Sequence, residues 1–216
     1  MNEAVNQKIE TYFSKYRARK YEKGQILILD GDEAPNVFYL VSGKVKVYDV
    51  TYRGDEIILN IFKPSAFFPM SLALNKVPNP YIYEAETDIE VRQAPATEVL
   101  EFLNANPDIV MDLLSRVYKG VDGLLGRMAA LMSGSAKSRL MYELILESQR
   151  FGKSQDDNSY LLDITEKDLG ARAGLSRETV SREMRKLKKE DLVTINSHNI
   201  IVKNMENLKI KLGQEV

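Results

Sequence analysis

Seven apolar residues in the middle of the chain recur at alternating spacings of four and three, and this heptad pattern constrains the fold more than any other feature. They are Val110, Leu114, Val117, Val121, Leu124, Met128 and Leu131. The spacing places all seven on one narrow stripe of an α-helix, as in helices that pair with each other. It predicts a helix from about Pro107 to Met132 that forms the seam of a parallel homodimer. The alternative is a helix packed only on its own domain.

Residues beside this seam predict further contacts of the same helix. Each of three glycines disfavours the helix by about 1 kcal/mol relative to alanine, so we expect something to approach the backbone closely there, either a partner helix or a bound molecule. These glycines are Gly120, Gly123 and Gly126. Apolar residues at 113, 125 and 132 predict that a second side of the helix is buried against the N-terminal domain.

The region before this helix changes from a helical to a strand-like pattern. Residues 1–20 resemble a short amphipathic helix, and residues 21–100 contain short β-branched runs separated by turn signals. The predicted strands are Gln25–Leu29, Val37–Val41, Lys44–Asp49, Ile57–Phe62, Ile82–Glu86 and Ile89–Gln93. The predicted turns include Ser42-Gly43 and Arg53-Gly54-Asp55. Many short strands at this spacing indicate a β-barrel or jelly roll.

The C-terminal region contains two predicted helices joined by a tight turn. Thr165 and Asp168 form a capping pattern at the start of a helix over Glu166–Ala173. Gly174 provides the turn and Ser176 caps the next helix. This is the helix-turn-helix pattern, whose second helix enters the major groove of DNA. A helix over Ala136–Gln149 and a strand over Tyr160–Ile164 precede it, and a hairpin around Ser197-His198-Asn199 follows it.

The second of these helices concentrates positive charge in a chain whose net charge is only −1. Val180, Met184 and Leu187 share one arc of the helix, which predicts that this face packs inward. Arg177, Glu178, Ser181, Arg182 and Arg185 occupy a different arc. Arginine forks onto guanine and a carboxylate accepts a hydrogen bond from cytosine, so this face could read both bases of a G·C pair. The alternatives are a solvated charged face and a Glu178 that only complements the helix dipole.

These motifs resemble those of the cyclic-AMP receptor protein/fumarate-nitrate regulator (Crp-Fnr) family. GLSRETVSREMRKLKKEDLV (174–193) resembles the helix-turn-helix of the family, and its Arg-Glu-Thr-Val-Ser-Arg run matches the receptor-protein branch. KGQILILDGDEAPNVFYLVSGKVKVYDVTYRGDEIIL (23–59) is similar to the sensor jelly roll, with Gly24, Gly31, Gly43 and Gly54 at its turns. LVTINSHNIIV (192–202) is similar to the wing.

The resemblance implies an α+β chain with three segments. They are a jelly-roll sensor domain (1–106), a dimerisation helix with a hinge at Ser133–Ser135 (107–134) and a winged helix-turn-helix domain (135–216). It also implies a dimeric transcriptional regulator that reads a palindromic TGTGA-like site through Arg177, Glu178 and Arg182, with double-stranded DNA and RNA polymerase as partners. The expected DNA contacts are Ser176, Arg177, Glu178, Thr179, Ser181, Arg182, Arg185, Lys186, Lys188 and Lys189.

The chain departs from the family at the ligand site. Members that bind cyclic nucleotides carry Phe-Gly-Glu-Leu and then Arg-Ser/Thr-Ala in the pocket. Here the first segment is Phe68-Pro69-Met70-Ser71, and the second has Asn79 and Pro80 where Arg and Ser would fall. A buried phosphate without a cation is unfavourable by several kcal/mol or more. We therefore expect that cyclic AMP is not the effector.

An apolar and aromatic set of side chains remains for a pocket. Such a set suits a small apolar or aromatic effector; the alternative is that these side chains fill the barrel themselves and no ligand is needed. The candidate pocket residues are Phe68, Met70, Ser71, Leu72, Asn79, Tyr81, Tyr83, Leu124 and Leu125.

Composition limits the other function classes. The chain has no cysteine and a single histidine, His198, which disfavours an iron–sulfur cluster, haem and a multi-histidine metal site. The N-terminus lacks an apolar signal core and no apolar stretch approaches the ~20 residues of a membrane span, so we expect a cytoplasmic protein. The sequence contains no recognisable nucleophile–base pair and no phosphate loop, so we do not expect an enzyme. The alternative function is a ligand-sensing module that does not bind DNA and uses its C-terminal domain as an adaptor.

Overall fold

The computed structural model describes residues 3–33, 35–52, 54, 56–155, 159–196 and 199–215. The chain divides into two compact units between Tyr118 and Lys119, inside its longest helix. The division into segments 1–106, 107–134 and 135–216 stays a prediction. Arg53, Asp55, Ser197 and His198, which the sequence places in turns, lie outside the described residues.

The first unit begins with helix α1 (Glu3–Ser14) and is built mainly from short strands. The strands are β1 (Ala18–Tyr21), β2 (Ile26–Ile28), β3 (Asn36–Ser42), β4 (Val45–Val50), β5 (Glu56–Phe62), β6 (Phe67–Phe68), β7 (Ile82–Ala85) and β8 (Ile89–Pro95). Helix α2 (Met70–Asn75) lies between β6 and β7, and α3 (Ala96–Asn104) follows β8. The sequence predicts a helix over residues 1–20, but α1 ends at Ser14. The prediction was wrong for the last residues, because residues 18–21 form β1 and pair with β8.

The strands form two antiparallel sheets, with strand orders β1-β8-β3-β6 and β2-β7-β4-β5. Residues alternate in and out along them, so that Val45 and Val47 of β4 are buried while Lys46 between them is not. One core cluster takes side chains from both sheets. Gly43 joins β3 to β4 at a φ of +81°, where a Cβ would lie 2.7 Å from Ile89 Cγ2. The predicted domain of many short strands is confirmed.

Helix α4 (Pro107–Ser133) confirms the long helix predicted from the heptad pattern. Its first turns belong to the first unit, where Ile109 is fully buried and Leu113 packs on a core cluster with α1 and α3. Leu113 therefore fits the expected burial of a second side of the helix. Leu125 and Met132, which belong to the second unit, are 56% and 84% exposed in the single chain, and their expected contact with the N-terminal domain stays a prediction.

The second unit contains the predicted helix-turn-helix. After α4 come α5 (Ala136–Phe151), β9 (Lys153–Ser154), β10 (Tyr160–Leu162), α6 (Glu166–Ala173), α7 (Arg177–Lys189), β11 (Val193–Ile195), β12 (Ile200–Val202) and α8 (Met205–Glu215). The strands pair in the order β11-β12-β10-β9, and the β11–β12 hairpin takes the place of the predicted wing. Strand β10 ends at Leu162, so Ile164 is a core residue outside the strand.

Candidate nucleic-acid interface

Local hydrogen bonds fix where both helices of the motif begin. The amide of Asp168 donates to Thr165 Oγ1 (3.2 Å) at the start of α6, and the amide of Thr179 donates to Ser176 Oγ (3.3 Å) at the start of α7. Between the helices Gly174 takes a left-handed conformation, with φ of +62°. The amide of Leu175 then donates to the carbonyl of Gly170 (2.9 Å). The capping and turn predictions are therefore confirmed.

Helix α7 has one buried and one exposed face. Val180, Met184 and Leu187 are fully buried in the core of the second unit. Among the predicted DNA contacts, Thr179 and Ser181 are half-buried and all the others are exposed. The exposed residues are Ser176, Arg177, Glu178, Arg182, Arg185, Lys186, Lys188 and Lys189. A single capped helix thus presents eight of the ten residues to solvent, while Thr179 and Ser181 are partly covered.

Glu183 is a functional candidate that the sequence did not single out. Its carboxylate is 4% exposed and accepts hydrogen bonds from Arg182 Nε (3.1 Å) and Lys186 Nζ (2.9 Å). Burial opposes ionisation, but these two cations outweigh it and hold the pKa of Glu183 below its usual value. Glu183 therefore orients Arg182 and Lys186, and the i,i+3 spacing from Lys186 was the only sequence signal for this role.

Glu178 remains ionised at neutral pH. Hydrogen bonds from its own backbone amide and from the Ser176 side chain lower the pKa of this exposed carboxyl, and the nearby Arg177 adds to the effect. An ionised carboxylate at this position stabilises the positive end of α7. It also presents an acceptor of the kind that pairs with cytosine N4. The position of Glu178 is therefore compatible both with stabilisation of the helix dipole and with base reading.

The predicted effector-pocket residues differ in exposure. Phe68, Leu72, Asn79 and Tyr83 are buried, Met70 is half-buried, and Ser71, Tyr81, Leu124 and Leu125 are exposed. The buried aromatic rings lie nearly parallel to each other. Phe68 stacks on Phe62 at 5.1 Å, on Phe38 at 5.5 Å and on Tyr83 at 5.8 Å between ring centroids. These rings fill the space between the two sheets.

Asn79, one of the predicted pocket residues, is bonded to the backbone around it. Its Nδ2 donates to the carbonyls of Leu29 (2.7 Å) and Tyr81, and its Oδ1 accepts from the amide of Tyr81 (3.2 Å). The side chain is 1% exposed. All of these partners are backbone groups, so Asn79 holds the turn that leads into β7, and its place in an effector pocket stays a prediction.

The seven seam residues of α4 are all exposed in the single chain, each between 39% and 59%. They form a continuous apolar stripe along the helix.

Within the described parts of the chain, none of the helices has the length and apolarity needed to cross a bilayer. Over the same residues, no three His, Asp or Glu side chains converge as a metal site would require.

Comparison with known proteins identifies both regions. Residues 18–106 match the family model described as a cyclic nucleotide-binding domain, and residues 138–210 match that of a Crp-like helix-turn-helix domain. The chain is 24% identical over 195 residues to the cAMP-activated global transcriptional regulator CRP of Salmonella typhimurium, covering 90% of this chain and 93% of that protein. It is 28% identical over 196 residues to the HTH-type transcriptional regulator ArcR of Staphylococcus aureus, and this match covers 90% of this chain and 83% of that protein.

Solved structures share the fold. A CooA mutant from Carboxydothermus hydrogenoformans matches with a TM-score of 0.78 at 20% identity, over 94% of this chain and 90% of that one. The CRP/FNR-family regulator TTHA1359 from Thermus thermophilus matches with a TM-score of 0.74 at 21% identity, over 93% and 100%. With a sensor-type β-domain, a long helix and a helix-turn-helix in the same order, the chain belongs to the Crp-Fnr family of DNA-binding transcriptional regulators.

Proposed function

We propose that the protein is a dimeric regulator that reads a palindromic TGTGA-like site, and that its effector is not cyclic AMP. The observation that carries this proposal is the exposed face of α7. Arg177, Glu178 and Arg182 point to solvent from a helix whose opposite face is fully buried. A surface that bound only phosphates would gain nothing from Glu178, whereas base reading uses it.

The exposed seam supports the dimer. A soluble monomer rarely leaves a long continuous apolar stripe in water, and seven seam residues on α4 are exposed. Pairing two copies of α4 would bury them and relate the two α7 helices by a two-fold axis. Half-sites in the operator would then be inverted repeats about one helical turn apart. The family resemblance extends the proposal to RNA polymerase as a protein partner.

Selection from random oligonucleotides tests the DNA assignment. The full-length protein is incubated with a randomised duplex pool, and bound duplexes are amplified through several rounds. We expect enrichment of an inverted repeat with TGTGA-like arms. Recovery of duplexes with no common sequence would contradict the proposal, because binding to phosphates alone carries no sequence preference. Repeating the selection with added cell extract reveals whether a small molecule is required.

The sensor domain supports the second part of the proposal. Where cyclic-nucleotide binders carry an arginine, this chain has Asn79, whose side chain is already bonded to backbone groups. The aromatic rings between the sheets offer apolar contacts and no charge. This environment suits a small apolar or aromatic effector, or a domain that needs none, and it disfavours a buried phosphate.

Calorimetry with cyclic AMP checks this prediction. We expect no saturable heat when cyclic AMP is titrated into the protein, since the phosphate has no cationic partner in the segment from 76 to 81 other than the exposed Lys76. The same preparation must bind the selected operator, which shows that it is folded and active. A saturating isotherm in the micromolar range would overturn the pocket assignment.

A further inference from the structure

Tyr142 of α5 lies in a notch that glycines form in α4. Its hydroxyl donates a hydrogen bond to the carbonyl oxygen of Gly123 (3.1 Å). A Cβ added at Gly126 would lie 2.7 Å from Tyr142 Cζ, so no larger residue fits there without moving the ring. At Gly123 and Gly126 the close approach is thus made by α5 of the same chain, and not by the partner helix or bound molecule expected from the sequence.

A buried ion pair lies beside this notch. Arg127 of α4 donates to Glu143 of α5 through two nitrogens, with Nη2–Oε1 at 2.8 Å and Nε–Oε2 at 3.1 Å. Glu143 is 1% exposed. Burial raises the pKa of its carboxyl, and Arg127 opposes that rise. Two parallel hydrogen bonds from a planar guanidinium restrict rotation as well as separation, so the pair fixes the angle between α4 and α5.

A second buried pair carries the connection into the helix-turn-helix. One turn further along α5, Glu147 bonds to Arg172 of α6, and both side chains are nearly fully buried. Helices α6 and α7 are themselves in close contact at Gly170, where a Cβ would lie 3.3 Å from Val180 Cγ2 and 2.8 Å from the carbonyl oxygen of Leu175. A series of packed contacts thus runs from α4 through α5 and α6 to α7.

The same stretch of α4 carries the second half of the dimer seam. Val121, Leu124, Met128 and Leu131 are exposed on it. At about 100° per residue, their stripe is centred roughly 130° around the helix from the face formed by Gly123, Gly126 and Arg127. One face of this segment is therefore open to a partner while the other is fixed to α5.

We propose that Gly126, Arg127, Tyr142 and Glu143 are positioning residues that hold the two α7 helices of a dimer at the separation of one operator. The proposal rests on the dimer described under the proposed function. It also changes the expectation for the connection between α4 and α5. Ser135 caps α5 by accepting from the amide of Ser138 (3.2 Å), and the Tyr142 notch and the Arg127 pair bridge the two helices beside it. In this structure, contacts between α4 and α5 thus brace the connection at the predicted hinge.

A spacer series tests the proposal with the full-length protein. Affinity is measured by fluorescence anisotropy for the selected operator, for operators whose half-sites are moved by one or two base pairs, and for a single half-site. The test variant is Gly126→Ala, which forces Tyr142 out of its notch. The control is Gly213→Ala, because this helical glycine has open space around its added Cβ.

We expect Gly126→Ala to lose at least about tenfold in affinity for the natural spacing and to discriminate less between spacings, since avidity depends on geometry. Its affinity for a single half-site should stay within about twofold of the parent, because one α7 is sufficient there. Gly213→Ala should match the parent throughout. An unchanged spacer profile for Gly126→Ala would overturn the proposal.

Other outcomes separate this proposal from the dimer and from base reading. Sedimentation of the parent protein reports the dimer, and its single half-site binding reports base reading, so failure of either is visible without any variant. Circular dichroism checks that Gly126→Ala is folded. If it is not, Arg127→Gln is judged by the same spacer criterion, because it removes one partner of the Glu143 pair and leaves the glycine notch intact.

Discussion

Replacing Leu124 with lysine is expected to leave a folded monomer that has lost operator binding by two or more orders of magnitude. Leu124 is 51% exposed in the single chain, so an ammonium at this position stays solvated in the monomer. In a paired seam, two ammonium groups would be brought together and removed from water, which is strongly unfavourable. A monomer has one α7 helix and loses the avidity of the second half-site, a factor of about 10²–10⁴.

Sedimentation and anisotropy together check this expectation. The variant should sediment as a monomer, keep its circular dichroism spectrum and bind a single half-site as the parent does. Leu74→Lys is a matched control, because Leu74 is an exposed leucine (61%) that belongs to α2 and not to the seam helix. It should remain dimeric. A Leu124→Lys protein that sediments with the parent would contradict the seam.

Features set by neighbouring residues were predictable from the sequence. The heptad spacing predicts α4 to within one residue of its end at Ser133. Thr165 and Ser176 predict the starts of α6 and α7, and Gly174 predicts the left-handed turn between them. In each case the signal lies within the element that it specifies or directly beside it. The family resemblance then placed these elements in order.

Features set by distant contacts were not predictable in the same way. The glycine at 126 permits a close approach to the helix backbone, but only the fold identifies Tyr142 of the following helix as the residue that makes it. Asn79 falls where family members have an arginine, and its backbone partners include Leu29, fifty residues earlier in the chain. The burial of Glu183 also depends on packing. Binary patterning cannot report such long-range partners, because it describes only which side of an element is buried.

The aromatic set illustrates the limit for the candidate pocket. Phe62, Phe68 and Tyr83 belong to β5, β6 and β7, and the pattern within each strand predicts only an inward side chain. The rings stack on each other because β6 belongs to one sheet and β5 and β7 to the other, and the two sheets pack face to face. The choice between a ligand pocket and a self-filled barrel therefore rests on topology as well as composition.

Replacing Arg177 with alanine is expected to weaken binding to the selected operator by about 1–3 kcal/mol and to relax specificity at one base pair of each half-site. The guanidinium lies exposed in the first turn of α7, where the end of a reading helix meets base edges. Removing it deletes two donors that pair with guanine O6 and N7. The Ser176 cap and the buried Val180 are untouched, so the melting temperature should not change.

Two further variants separate base reading from charge. Lys188→Ala removes an exposed cation from the end of the same helix and should weaken binding to all sequences equally, with a smaller dependence on salt. Arg19→Ala removes an exposed arginine from β1, in the other unit, and should change nothing. Affinities for every single-base variant of the half-site are compared at one salt concentration. If Arg177→Ala loses as much affinity for scrambled DNA as for the operator, its guanidinium contacts phosphates, and α7 then reads its site without it.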